Sequence, residues 1–363
     1  MGCTCSKKLK TEEEVDFDPK NTEQEVNNTS NFYDIENNNK NNNNNNNSNI
    51  KIENVKSQVI GQKSKTFVSA PTKDEDIINI QNFYELENEF KNLKNYKQIN
   101  SNLITKEELN NLLSNIEPFN DNIIVEIRPT TLCENKSIYF GEWDIKNNIR
   151  HGRGIQIWSD GSKYSGQWRD NKASGKGKLI HQNGDIYDGE WELDKPNGFG
   201  EYSRNDGSKY KGFWKNDQQD GKGEEIWADG SKYEGMYKNG KKSGKGIFIW
   251  SDGNIYEGNF ENNFMDGKGK YIFKDKRVYE GDWVMNKIEG NGVLTWPDGR
   301  KYEGEFKNFK RDGFGVFTDI DGKQYKGEWK EGKQNGKGEI FLPKEKIFKQ
   351  GIWENGKRLK WIS

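Results

Sequence analysis

The chain has 363 residues and a formal net charge of −1, with 57 basic and 58 acidic side chains, which excludes a strongly basic nucleic-acid-binding protein. Only 30% of the residues are apolar while 32% are charged, too little aliphatic surface for a large globular core. No run approaches the ~20 apolar residues of a membrane-spanning helix, and there is no apolar core of a signal peptide.

The first ten residues, MGCTCSKKLK, fit M-G-x-x-x-[ST] through Gly2 and Ser6, the pattern for myristoylation once Met1 is removed. Cys3 and Cys5 beside that glycine are expected to take palmitate, and Lys7, Lys8 and Lys10 follow. A single myristoyl chain binds membrane with an association constant of only about 10⁴ M⁻¹, so stable anchoring takes a second signal. Acylatable thiols supply one, and a basic cluster worth about 1 kcal/mol per cation near anionic lipid supplies another. The plainer alternative is an ordinary chain start with unrelated cysteines, or a weak Cys-x-Cys metal ligand. The third cysteine, Cys133, stands alone, so neither a disulfide framework nor a zinc-ligand spacing is present, which fits a reducing cytosol.

Residues 11–73 are low in complexity and include the tract NNNKNNNNNNNSN at 37–49. They carry too little apolar surface to offset chain entropy and are expected to be a disordered linker. As a flexible tether of about 60 residues it would span on the order of 40–45 Å. Residues 74–118 differ. Phe83, Leu86, Phe90 and Leu93 fall at helical spacing. Thr105 and Glu108 form a capping box ahead of Leu109, Leu112, Leu113 and Ile116, and Pro118 ends that stretch. One or two short helices are expected here, packed on the array that follows or bound to a partner helix.

From 137 to 347 the chain repeats. Blocks of the form Y-x-G-x-aromatic begin at Tyr139, Tyr164, Tyr187, Tyr210, Tyr233, Tyr256, Tyr279, Tyr302 and Tyr325, spaced by 23 after a first step of 25. These blocks define units 1 to 9. G-x-G pairs recur at the same period from Gly152 to Gly336, and Asp-Gly or Asn-Gly dipeptides fall between them, with Asp275-Lys276 as the exception. Such a period is read before any other feature. Each unit reads as a β-hairpin, with Asp-Gly as the turn in which both residues take positive φ. Alternation then places Tyr233, Gly235 and Tyr237 on one face, together with Gly244, Gly246, Phe248 and Trp250 of the next strand. Rings lying across bare glycine backbone would bury aromatic surface without a thick core. At nearly 10 Å per two-stranded unit, nine units would extend about 85–90 Å. Residues 348–363 depart from the period. Phe348 falls on the tyrosine position while Gly351 and Trp353 are one residue late, so this stretch is read as a degenerate capping repeat.

YEGMYKNGKKSGKG and YKGEWKEGKQNGKG resemble the membrane occupation and recognition nexus (MORN) repeat, over about 60% of the chain from 139 to 356. The resemblance implies an all-β fold: an elongated single-layer antiparallel sheet of tandem 23-residue hairpins. It implies no single activity. MORN arrays occur in junctophilins, radial-spoke head proteins, protist cytoskeletal scaffolds, plant phosphatidylinositol phosphate kinases and a SET-domain methyltransferase. No kinase or SET sequence accompanies the array here.

Candidate chemical sites fail on spacing. With Glu108 at the last position of an EF-hand loop, Lys97 and Ile99 would stand where oxygen ligands belong, and Asn102 where glycine does. The G-x-G pairs recur in every unit with no Rossmann strand–helix unit around them, and His151 and His181 lack a Ser or Cys partner pattern. No catalytic residue, cofactor or metal site is expected. Two docking features remain. The middle residue of G-x-G is basic at Arg153, Lys176, Lys222, Lys245, Lys268 and Lys337, a row that could meet acidic lipid headgroups or form a ladder with Glu234, Glu257, Glu280 and Glu303. The rings of Tyr164, Trp168, Tyr187, Trp191, Tyr210, Trp214, Tyr233, Trp250, Tyr256, Tyr279, Trp283, Tyr302, Tyr325 and Trp329 form a candidate surface for a protein partner.

The expectation is a non-enzymatic scaffold on the cytosolic face of the plasma or an internal membrane, held by acyl chains on Gly2, Cys3 and Cys5 and linked to protein partners such as the cytoskeleton. Open alternatives are an acidic-phospholipid-binding module, a regulatory subunit of a phosphatidylinositol phosphate kinase, and a radial-spoke-like component of a cilium. Exposed strand edges allow homo-oligomers.

Overall fold

One hairpin contains the logic of the array. In unit 5 the strand Lys232–Lys238 pairs antiparallel with Lys241–Ile249, and Tyr233 stands opposite Phe248 and Gly235 opposite Gly246. The two strands are joined by Asn239-Gly240, both with positive φ (49° and 75°). That is the turn whose twist suits a two-residue hairpin. The dipeptides Asn216-Asp217, Met285-Asn286 and Asn308-Phe309 do the same in their units. The Asp-Gly dipeptides have a different role from the expected one: they close three-residue loops between consecutive hairpins. At Asp252-Gly253 the Trp250 N–H donates to the Asn254 carbonyl and the Gly253 N–H to the Trp250 carbonyl, both at 3.0 Å, and in this pair only Gly253 has a positive φ. The Asp252 carboxylate accepts from the Asn254 N–H at 3.0 Å, so the aspartate is there for turn geometry.

The computed structural model describes residues 113–119, 121–133 and 137–362. These form one open sheet of 21 strands, each hydrogen-bonded antiparallel to the next in sequence from Val125–Leu132 to Lys357–Trp361. Helical backbone among the described residues is confined to Leu113 and Ser114. The rest of the expected helical segment, the asparagine tract and Gly2, Cys3 and Cys5 lie outside the described residues. The sheet begins one strand before the repeats: Val125–Leu132 pairs with Ile138–Asp144 as an edge strand that the period does not announce.

The two glycines of G-x-G serve different ends. The strands of unit 5 shift register between Gly235 and Met236, forming a bulge in which Gly244 takes φ of +67°. Gly246 has ordinary backbone, but a Cβ there would stand 2.5 Å from the Tyr233 hydroxyl and 2.6 Å from its ring. The first glycine permits the bulge, and the second lets the tyrosine lie flat on the strand. The bulge also corrects the expected face. Gly244 is exposed, and Lys242 joins Tyr233, Gly246, Phe248 and Trp250 on the buried side.

The core is this tyrosine face. Each unit tyrosine packs edge-on against the aromatic ring four residues later and against its counterpart in the next unit. Tyr233 meets Tyr237 at 5.3 Å and Phe260 at 5.1 Å, Tyr256 meets Phe260 at 5.2 Å and Trp283 at 5.3 Å, and the zigzag ends with Tyr325 on Trp353 at 5.0 Å. Such pairs are worth roughly 0.5–1.5 kcal/mol each beyond their buried area. The bulge frees a carbonyl for every tyrosine hydroxyl; Tyr233 donates to Met236 O at 3.1 Å and Tyr256 to Asn259 O at 2.8 Å. The indoles of Trp168, Trp191 and Trp283 donate to the carbonyls of Gly154, Gly177 and Gly269. The polar end of each of these rings is thus satisfied inside the sheet.

The capping repeat forms the hairpin Ile347–Glu354 with Lys357–Trp361. Gly351 still pairs with Gly338 and Trp353 is buried, but Phe348 is not at the tyrosine position. Lys349 is, opposite Ile340, while Phe348 stacks on Phe341 at 4.7 Å on the other face and is 62% exposed. The loop at 343–346 is one residue longer, and a shift of one residue in a strand exchanges its faces.

Candidate functional site

All fourteen rings expected to form a docking surface are buried: Tyr164, Trp168, Tyr187, Trp191, Tyr210, Trp214, Tyr233, Trp250, Tyr256, Tyr279, Trp283, Tyr302, Tyr325 and Trp329. They lie along the sheet instead of standing on it, so each covers its neighbour and none is offered to a partner. The face available for contact is the opposite one. It carries the second and fourth residues of each Y-x-G-x-aromatic block and the middle residue of each G-x-G, over a floor of glycine backbone.

The basic row lies on this face, and four of its six members have anionic partners. Arg153 pairs with Glu142 at 2.6 Å, Lys176 with Glu117 at 2.8 Å, Lys222 with Glu234 at 2.8 Å and Lys268 with Asp282 at 2.6 Å. Hydrogen bonds donated to the Glu117 and Glu234 carboxylates raise the pKa values of Lys176 and Lys222. Partial burial pushes the Asp282 carboxyl up, but the Lys268 hydrogen bond, the Asn291 N–H and the Lys268 charge together outweigh it and the net shift is downward. Of the expected ladder only Lys222–Glu234 forms. Glu303 turns to Lys301 at 2.7 Å, and among the described residues Lys245 and Lys337 have no ion pair.

Over units 1 and 2 this face is already occupied. Leu113 is buried against Phe140 and Ile155, and its carbonyl accepts from Arg153 Nη1 at 3.3 Å. The Glu117 carbonyl accepts from Gln167 Nε2 at 2.7 Å. The Phe119 ring lies under the Arg169 guanidinium, 4.6 Å away, and 5.9 Å from the His151 ring. His151 Nε2 donates to Asp121 Oδ2 at 2.9 Å, and that bond is the largest cause of the lowered Asp121 pKa. Residues 113–119 and Asp121 thus form a strap across the sheet. Packing on the first units was one of the two expectations for this segment, and His151, set aside as a catalytic residue, is a buried clasp for it. Sequence alone offered no signal for the clasp, because the contact joins residues 30 apart through a bulge.

A second unforeseen cluster lies within the core. Lys242 is fully buried, 3.4 Å from Glu225, with its ammonium 4.7 Å from the Trp227 ring and 5.2 Å from that of Tyr233. Tyr237 donates to the same carboxylate at 2.8 Å. Burial lowers the Lys242 pKa, an effect that Glu225 opposes. In other units the same place holds Arg150, Ala173, Pro196, Gln219, Met265, Ile288, Arg311 or Gln334, so nothing in the run KNGKKSGKG singles out this lysine. Among the described residues, no three His, Cys, Asp or Glu side chains converge as a metal site requires.

The MORN repeat model matches nine consecutive segments, at 139–163, 164–186, 187–209, 210–232, 233–255, 256–276, 279–299, 302–324 and 325–343, more than half of the chain. The chain belongs to the MORN-repeat family. None of the curated proteins compared matches it significantly. Among solved structures, the SAS-4 (dCPAP) TCP domain of Drosophila melanogaster, in complex with a proline-rich motif of Ana2 (dSTIL), is 14% identical. That match covers 50% of this chain and 90% of that one, with a TM-score of 0.26. A mutant TCP10 domain of Danio rerio CPAP is 10% identical over 65% of this chain and 99% of that one, with a TM-score of 0.24. Virginiamycin B lyase of Staphylococcus aureus is 12% identical over 64% and 87%, with a TM-score of 0.12. At these TM-scores the likenesses carry no argument for this MORN array.

Proposed function

We propose that this MORN-repeat protein is a non-enzymatic scaffold, tethered to the cytosolic leaflet of a membrane through acyl chains on Gly2, Cys3 and Cys5, that holds extended segments of protein partners on the face opposite its tyrosines. The observation that carries this reading is the strap. What supports it is that residues 113–119 and Asp121 lie on the glycine-floored face as a non-strand segment, held by backbone hydrogen bonds, ion pairs and one seated ring. The tyrosine face, spent on holding the sheet together, has no such capacity. The N-terminal motif supports the tether, because three acylatable residues and three lysines together meet the two-signal requirement for stable anchoring. With four of the six row cations paired within the protein, acidic lipid has less free charge to recognise along the array than the sequence alone implied.

Membrane fractionation of cells expressing the full-length protein beside its Gly2→Ala variant tests the tether. The expected outcome is a shift from the membrane to the soluble fraction. Identical distributions would contradict the tether and leave a soluble, cytoskeletal or ciliary scaffold.

A further inference from the structure

The strap defines a seat that can be followed from unit to unit. Its central part is Glu117-Pro118-Phe119. The Glu117 carboxylate rests on Lys176 at 2.8 Å. Phe119 fills the space above Gly175, where a Cβ would stand 3.1 Å from its ring. Arg169 covers the other side of the ring at 4.6 Å. The seat is therefore a glycine between two cations, with the neutral Gln167 amide beside the ring: its oxygen would collide with a Cβ on Gly175, and its Nε2 donates to the Glu117 carbonyl at 2.7 Å.

Three periods further on, unit 5 repeats it: Lys238 stands for Arg169, Gly244 for Gly175 and Lys245 for Lys176. Both lysines are exposed, and among the described residues neither forms an ion pair. Met236, 44% exposed, replaces Gln167, so the slot of unit 5 has a thioether wall in place of the amide that donates to the Glu117 carbonyl, and Ile247, 39% exposed, lies beyond Lys245. A Cβ on Gly244 would meet only Met236, at 3.7 Å, so the space above it is open. The surface here continues into a trough on the same face lined by Lys222, Glu234, Glu257 and Lys268.

The other units do not offer this seat. Where the neutral Gln167 amide stands over Gly175, the Glu190, Asp282, Glu305 and Glu328 carboxylates stand over the corresponding glycines of units 3, 7, 8 and 9 and would repel a ligand's own carboxylate. In unit 4, Phe213 stands 3.1 Å from a Cβ on Gly221 and Lys222 is held by Glu234. In unit 6, Lys268 is held by Asp282 and Glu261 takes the place of the second cation.

We propose that unit 5 is a docking site for an extended segment of a partner protein with a carboxylate two residues before an aromatic ring. This deepens the scaffold reading and rests on it. The translation also sets the next ligand position. His151, which meets Asp121 two residues beyond the ring in units 1 and 2, is replaced in unit 4 by Asp220. A carboxylate there would face a carboxylate, so the favoured pattern is acid, any residue, aromatic, any residue, base. Phe140 and Ile155, which bury Leu113, are replaced by Lys211 and Glu224, so no apolar anchor is needed further upstream.

The probe is a fluorescently labelled peptide of residues 114–122 carrying Asp121→Lys, titrated to about 1 mM against the full-length protein with anisotropy as the readout. Saturable binding is expected, weakened at least about tenfold by Lys245→Glu or Lys238→Glu, and unchanged by Lys337→Glu in unit 9. The unaltered peptide, with Asp121, should bind several-fold more weakly. No saturation with the wild-type protein, or equal losses in Lys245→Glu and Lys337→Glu, would overturn the proposal. Loss in Lys176→Glu but not in Lys245→Glu would show the peptide displacing the strap, and would overturn it too. A concentration-dependent dimer in sedimentation that Lys245→Glu abolishes would give the seat to a second copy instead. The Gly2→Ala fractionation reads the tether independently, so failure here and failure there are distinguishable.

Discussion

Adding one methyl group at Gly246 should damage the array more than its size suggests. A Cβ there would lie 2.5 Å from the Tyr233 hydroxyl and 2.6–2.7 Å from its ring carbons, about 1 Å inside ordinary contact. The ring has nowhere to go: Tyr237 is 5.3 Å away on one side and Phe260 5.1 Å away on the other. Moving it weakens two edge-to-face pairs, at roughly 0.5–1.5 kcal/mol each. It also strains the hydroxyl bond to Met236 O, worth about 1 kcal/mol. Gly246→Ala should therefore cost about 2–4 kcal/mol, measured by urea denaturation of the full chain followed by tryptophan fluorescence. A double-mutant cycle isolates the cause. In a Tyr233→Ala background the clash partner is gone, and because the backbone of Gly246 suits any residue, the same alanine should be neutral or stabilising. An equal cost in both backgrounds would refute the reasoning.

Three further outcomes are expected. Among the described three-residue loops Lys276 is the one non-glycine at the third position and holds φ of 72°; Lys276→Gly should stabilise by about 1 kcal/mol in the same denaturation assay. The unit tyrosines from Tyr139 to Tyr325 all have pKa values raised above 10.0 by burial. Their contribution to stability is thus complete below pH 10 and lost as pH rises beyond it. At about 1.4 kcal/mol per tyrosine one pH unit above 10, the nine should unfold the array cooperatively between about pH 10 and 11.5, as read by circular dichroism. Glu225→Gln strands the Lys242 ammonium in the core and should cost about 3–5 kcal/mol, whereas Lys242→Met combined with Glu225→Gln should be near neutral by the same urea midpoint.

Much of this architecture is legible in the residues because a 23-residue period leaves one set of positions for the core and one for turns. The pairing of tyrosine with glycine is readable from size alone: a ring beside a missing side chain, repeated nine times. Three features are not, each for a physical reason. Strict alternation fails at the bulge, which moves Gly244 out of the buried face and Lys242 into it. Asp-Gly signals a turn without saying which, and the two-residue turns carry less distinctive pairs such as Met285-Asn286. Alternation also cannot say whether an aromatic face is covered. Here the rings cover one another, so the face that reads as the docking surface is the interior. Of the opposite face only the basic row was legible; the strap and its His151 clasp are long-range contacts with no local pattern.

The assignment of the two faces is most directly tested by hydroxyl-radical footprinting of the full-length protein, read by mass spectrometry residue by residue. Tyr233, Tyr256, Tyr279 and Trp283 should be protected under native conditions, while Phe213, Met236 and Phe314 on the other face are oxidised readily. Oxidation of the unit tyrosines as fast as Phe213 would place the aromatic rings on the surface and contradict the account at its base.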